Sequence, residues 1–191
     1  MGLDISAYSN IEILSVGPYR PELEEDWDSD DGIRQDFINP HFPHAVFPFP
    51  VVEDEQNYVH WKQTGTTEYH GFRAGSYSGY GLWRSTLAGT FLGTTDLYMD
   101  HRNNSDEPDW EKVYASEGKP FYELINFSDC EGVFFGPVCT KLYNDFVDNR
   151  EVYIESENPY PAWDNDYFVS RYDDWMEAFR LGSQNGLVSF H

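Results

Sequence analysis

Four large aromatic residues late in the chain, Phe168, Tyr172, Trp175 and Phe179, are spaced by four, three and four positions. In an α-helix that spacing puts all four rings on one face, whereas a strand would scatter them over both sides of a sheet. The spacing predicts an amphipathic helix over 166–181, ended by Gly182. Such a stripe requires an apolar layer to pack against. Two further stretches follow the same logic. Gly136-Pro137 sets a proline where a helix tolerates it, at its first position. Val138, Leu142 and Phe146 then share a face, with Cys139 beside them, so a helix is expected from 137 to about 149 with Cys139 in the core. Trp83, Leu87 and Phe91 predict a third helix over 82–92, stopped by Gly93.

Strand signals surround these helices. Leu3, Ile5 and Ala7 alternate with Asp4 and Ser6, which is the period-two pattern of a half-buried strand. Ile11, Ile13, Leu14 and Val16 extend it or pair with it, until Gly17-Pro18 breaks the pattern. Tyr58-Val59-His60-Trp61 reads as a short apolar segment, and Val152-Tyr153-Ile154 as a strand. Asn185-Gly186 makes a turn into a closing strand, Leu187 to Phe190. Strands and helices do not alternate regularly, so the expected class is α+β rather than a doubly wound sheet. The expectation is one domain over 1–191, with a small mixed or antiparallel sheet and about three packed helices. Aromatic residues make up 18% of the chain, enough to build a large core from few positions.

Charge narrows the partners. The formal net charge is −22, which opposes contact with a nucleic-acid backbone or an anionic membrane surface. A basic protein surface and a metal cation remain compatible with it. Residues 22–31 hold seven carboxylates in ten positions and predict an exposed acidic loop; 100–111 predict a second. Within the first, Glu24, Glu25, Asp26, Asp28, Asp30 and Asp31 would supply an attractive field, and Trp27 a desolvated anchor for a partner. Asp26, Asp28 and Asp30 match the opening of a calcium loop, but the glycine comes one place late at Gly32 and Phe37 stands where the bidentate glutamate belongs. His41 and His44 have no neighbouring pair to complete a zinc site. No metal and no cofactor is therefore expected. The N-terminal segment has no basic and apolar signal pattern, no run reaches membrane-span length, and two cysteines are too few for a disulfide framework, so the cytoplasm is the expected compartment.

The stretch from His70 to Gly93 concentrates glycine and small hydroxyl residues ahead of a helix, with Ser78 or Gly79 as its expected cap. It supports two readings. One is a turn that lets strand and helix pack closely. The other is an anion pocket at a helix N-terminus, where unpaired N–H groups and the helix dipole favour negative charge. In that pocket Arg73, Ser76, Ser78 and Arg84 would hold the anion, Tyr77 or Tyr80 would stack, and His70 would act as acid or base. Neither the dinucleotide fingerprint, nor the P-loop, nor the nucleophile elbow fits this stretch. Cys130 is a weaker catalytic candidate, because Asp129 and Glu131 disfavour its thiolate.

Three blocks carry a resemblance: Met1 to Ile5; Ala74 to Tyr80 with Trp83-Arg84; and Asn126 to Gly132 with Gly136-Pro137. Together they resemble a group of bacterial and bacteriophage proteins without an established activity. The resemblance implies a soluble cytoplasmic protein encoded by a phage. Tyr69-His70-Gly71 is also similar to the first motif of ADP-ribosyltransferases, but no Ser-Thr-Ser or catalytic glutamate motif follows it. With no catalytic constellation, the leading expectation is a non-enzymatic acidic protein. It would engage a basic or nucleic-acid-binding host protein as an inhibitor or DNA mimic. The alternative is a small-molecule or nucleotide-binding protein, or an enzyme, built on the glycine-rich turn at 70–84.

Overall fold

A computed structural model describes residues 2–26, 32–39, 56–93, 117–127, 132–156 and 164–191. Its elements in chain order are β1 (Leu3–Tyr8), β2 (Glu12–Gly17), a 3₁₀ turn (Pro21–Asp26), β3 (Arg34–Ile38), β4 (Asn57–Lys62), β5 (Tyr69–Gly75), α1 (Tyr77–Leu87), α2 (Tyr122–Asn126), β6 (Gly132–Phe135), α3 (Gly136–Glu155), α4 (Asn165–Gly182) and β7 (Leu187–Phe190). The fold is α+β, as the sequence predicts. The strands form two antiparallel sheets rather than one, in the orders β5-β1-β7-β6 and β2-β4-β3.

β1 is an interior strand of the first sheet. It pairs with β5 on one side and with β7 on the other, in the register Ile5 to Phe190, Ser6 to Ser189, Ala7 to Val188 and Tyr8 to Leu187. Its alternation sorts the two faces. Leu3, Ile5 and Ala7 are fully buried toward the helices, together with Phe134, Val188 and Phe190 of the neighbouring strands. Tyr8, Val133, Phe135 and Leu187 lie on the opposite face and pack with Ile38, Val59 and Trp61 of the second sheet. The molecule is thus three layers deep, helices on the first sheet on the second sheet. The apolar run after Tyr8 does not extend β1. Asn10 adopts a left-handed conformation (φ 49°), the chain turns, and β2 joins the second sheet beside β4.

The helical layer is aromatic. All four rings of the α4 stripe are buried, as are Val138, Cys139, Leu142 and Phe146 of α3. Trp175 lies almost parallel to Trp83 of α1, with ring centroids 5.1 Å apart and planes at 12°. Trp83 also stacks on Phe146, and its Nε1–H donates to the Tyr153 hydroxyl at 3.2 Å. The Tyr172 hydroxyl donates to the Phe146 carbonyl at 2.8 Å. The polar tips of Tyr80, Trp83, Tyr153 and Tyr172 therefore find partners inside the apolar layer, as burial demands.

Three local expectations are corrected. Val152-Tyr153-Ile154 is not a strand: α3 continues to Glu155, because Tyr153 sits on the same inward face as Phe146 and is fully buried against Phe168 and Tyr172. α1 begins at Tyr77, not near 82. Its cap is Ser76, whose Oγ accepts from Gly79 N–H at 3.0 Å, so Ser78 and Gly79 lie inside the helix. The glycine freedom that the strand-to-helix turn requires falls on one residue, Gly75, at φ 115°. After Leu87 the helix widens into a π-helical turn over Ala88–Leu92 and ends at Gly93, which is left-handed as expected (φ 71°). Among the described residues no helix is long and apolar enough to cross a membrane.

Candidate functional site

Where the two sheets meet, their inward residues are not uniformly apolar. On β3 the residues that face the first sheet are Arg34, Asp36 and Ile38; on β4 they are Asn57, Val59 and Trp61, in the register Arg34 to Trp61 and Asp36 to Val59. Opposite them stand Ser6 and Tyr8 of β1 and Ser189 of β7. Toward Ile38 the sheets close in apolar contact. Toward Arg34 they part into a cleft of about 220 Å³, lined by Ser6, Tyr8, Arg34, Asp36, Trp61 and His191.

The groups in this cleft are ordered by mutual contacts. The Arg34 guanidinium carbon lies 5.2 Å from the Tyr8 ring centroid and 5.5 Å from that of Trp61, within reach of cation–π attraction to both. The two rings are themselves packed 4.7 Å apart. Arg34 Nη1–H donates to the Tyr8 hydroxyl oxygen at 2.7 Å. The Trp61 Nε1–H donates to Asp36 Oδ2 at 2.6 Å, and the Ser189 hydroxyl donates to Asp36 Oδ1. Tyr69 of β5 packs against Tyr8 in a tilted contact at 5.0 Å and is itself mostly exposed. Burial pushes the Tyr8 phenol above its ordinary value; the Arg34 charge pulls the other way, and Tyr69 and Asp36 add to the rise. Tyr8 therefore stays a neutral hydroxyl throughout the physiological range.

The residues expected around the glycine turn do not assemble into one pocket. Ser76 and Ser78 are at the start of α1, their hydroxyls 3.0 Å apart. Tyr80 and Arg84 are buried and point elsewhere: the Tyr80 hydroxyl and Arg84 Nη1 both donate to the carbonyl of Phe127, at 3.0 and 3.1 Å. Arg84 sits eight residues beyond Ser76, about 12 Å along the helix axis. It cannot share an anion with the cap. The Tyr80 ring is stacked on Trp175 and is not available to a ligand. Arg73 is exposed, lies over Gly2 and pairs with the Asp4 carboxylate at 3.4 Å. His70 faces α4, where its Nε2 is 3.7 Å from Asp174, a carboxylate that Arg171 already holds at 2.7 Å. Arg171 also donates to the Arg73 carbonyl, so this cluster fastens α4 to β5.

Cys130, Trp27, Asp28, Asp30, Asp31, His41, His44 and the 100–111 segment lie outside the described residues; Glu24, Glu25 and Asp26 belong to the 3₁₀ turn after β2. Cys139 is sealed in the core, where burial drives its thiol far above the ordinary range and away from nucleophilic use. Among the described residues no group of three or more His, Cys, Asp or Glu side chains is placed to hold a metal. Comparison with protein-family models, with curated proteins and with solved structures finds no match to this chain.

Proposed function

We propose that the protein binds a small molecule in the cleft between its two sheets. One observation carries this reading. In a chain of net charge −22, the Arg34 guanidinium packs against two touching aromatic rings at an open cleft, and among the described residues no carboxylate pairs with it. A surface arginine in so acidic a protein readily acquires an acidic neighbour, as Arg73, Arg150, Arg171 and Arg180 all do. Clefts with aromatic walls and a few convergent polar groups are the usual form of small-ligand sites. The test is a ligand-observed NMR fragment screen against the wild type and Ser6→Phe, which fills the cleft from β1. Hits that vanish with Ser6→Phe support the reading; hits that persist equally, or none at all, overturn it.

A second reading keeps the acidic segment as a docking arm. Seven carboxylates within 22–31 favour a basic protein partner, including a nucleic-acid-binding host protein if the chain acts as an inhibitor or DNA mimic in a phage setting. Association through that arm weakens steeply between low and high salt, and neutralising Glu24, Glu25, Asp26, Asp28, Asp30 and Asp31 together abolishes it. Binding that ignores both salt and these substitutions removes this reading.

A further inference from the structure

We infer that the ligand of the intersheet cleft carries an oxyanion, a carboxylate or a phosphate, held by Arg34 and Tyr8. This rests on the reading of the cleft as a ligand site and adds its chemistry.

The argument is an inventory of hydrogen-bonding capacity. A guanidinium has five N–H donors and no acceptor. Arg34 directs one of them, on Nη1, to the Tyr8 oxygen. Among the described residues its other donors have no protein acceptor within hydrogen-bond range. The Tyr8 oxygen accepts that bond and also has the Ser6 hydroxyl within hydrogen-bond reach; the phenol remains protonated and can turn its proton toward an acceptor in the cleft. The one acidic side chain in the lining, Asp36, already accepts from Trp61 on one oxygen and from Ser189 on the other. The capacity left over at Arg34 and Tyr8 is therefore for donation. A group with several acceptor lone pairs and a negative charge matches it, and the planar fork of arginine binds carboxylates and phosphates through paired N–H bonds.

Stacking sharpens the match. With both neighbours aromatic, the guanidinium keeps its charge in a setting that competes weakly for its N–H edge, while the Tyr8 and Trp61 rings limit how far water can screen it. The cleft volume of about 220 Å³ lies below the roughly 300–1,000 Å³ of drug-sized sites, so the anion belongs to a small metabolite rather than a polymer. Asp36 opposes a dianion more than a monoanion, because like charge nearby raises the free energy of every added negative charge.

The experiment titrates the whole chain at constant ionic strength with sodium benzoate, sodium acetate, inorganic phosphate and, as a cationic counterpart of benzoate, benzylamine. The readout is the indole N–H resonance of Trp61, assigned from Trp61→Phe. The expected result is saturable movement with at least one anion, weakened tenfold or more in Arg34→Gln and several-fold in Tyr8→Phe. Arg34→Lys, which retains charge without the fork, falls between wild type and Arg34→Gln and guards against loss of fold. Movement with benzoate or acetate assigns a carboxylate; movement with phosphate assigns a phosphate. If benzylamine binds and no anion does, the oxyanion inference falls while the cleft stands. If an anion binds equally well to Arg34→Gln, or if no probe moves Trp61, the inference is overturned.

Discussion

The hydroxyl of Ser189 on β7 donates to the carboxylate of Asp36 on β3, a buried hydrogen bond that ties the first sheet to the second across 153 positions of sequence. The same carboxylate accepts from Trp61, which tethers β4 as well. A hydrogen bond to a charged group contributes about 1.5–3 kcal/mol. Ser189→Ala is expected to lower stability by about that amount while leaving the core intact. Asp36→Ala removes both bonds and orphans the Trp61 N–H, so it is expected to exceed Ser189→Ala and Trp61→Phe taken singly. Urea denaturation of the single and double variants measures this. Strictly additive changes would show that the three groups do not act as one network.

The aromatic layer predicts a sharp contrast between positions on neighbouring helices. Trp175 is 1% exposed and touches Phe72, Tyr80, Trp83 and Phe179. Trp175→Ala is expected to destabilise by about 3–5 kcal/mol. Val147 on α3 is 49% exposed, and Val147→Ala is expected to stay within about 0.5 kcal/mol. Thermal melts of both variants check the layering, and a large loss at Val147 would contradict it.

The start of α1 separates two serines that look alike in sequence. Ser76→Ala removes the Oγ that accepts from Gly79 N–H and is expected to lower stability by about 0.5–2 kcal/mol. Ser78→Ala leaves that bond in place and is expected to cost a few tenths at most. Equal losses, measured by denaturant midpoint, would mean that Ser76 is not the cap.

His60 predicts a pH dependence. It is 1% exposed, and its Nδ1 is 3.0 Å from the Ser15 hydroxyl. Burial, assisted by the Arg20 charge, holds its imidazole below the ordinary 6.5; the Pro18 carbonyl and Glu22 act in the opposite direction. As pH falls through that ordinary value the unfolded chain takes up a proton that the folded chain refuses. The unfolded state then binds more protons, so stability declines as pH drops, by up to about 1.4 kcal/mol per pH unit from this group. Comparing urea midpoints of wild type and His60→Gln at pH 7.5 and 5.5 isolates the effect. The wild type is expected to lose ground relative to the variant at the lower pH, and an unchanged gap would exclude it. Glu177 acts in a separate window. Its hydrogen bonds from Arg180 lower its pKa, and the stability they add is lost below the ordinary carboxylate value of 4.5.

The helices were legible because their signal is local. A period near 3.6 in large aromatics, a proline at a first turn and a glycine at a last turn all act within one element. β1 and β7 were legible for the same reason. The second sheet was not, because nothing in the alternation of Ile11, Ile13 and Val16 says which partner a strand will choose, and the turn at Asn10 redirects β2 away from β1. The cleft was hidden more deeply. In Arg34-Gln35-Asp36-Phe37-Ile38 polar side chains fall on both faces, so β3 carries no binary pattern, and its inward polar pair looks like loop. Arg34 and Asp36 acquire meaning from Tyr8, Trp61 and Ser189, which are far away in sequence. One trace was present: a Trp in the short segment Tyr58 to Trp61, whose N–H needs an acceptor once the ring is buried. Conversely, Tyr80 and Arg84 read as surface groups beside a glycine turn, and the helix instead rotates them inward toward the Phe127 carbonyl.

β1 lies between β5 and β7, so it meets one of its two neighbours only when Leu187–Phe190, far along the chain, has been made. Until then Val188 and Phe190 are missing from beneath the helices and β1 presents an open edge. Chains interrupted before Leu187 are consequently expected to leave that edge of β1 and part of the apolar layer uncovered. The placement of one strand thus makes closure of the first sheet wait for the segment that follows α4.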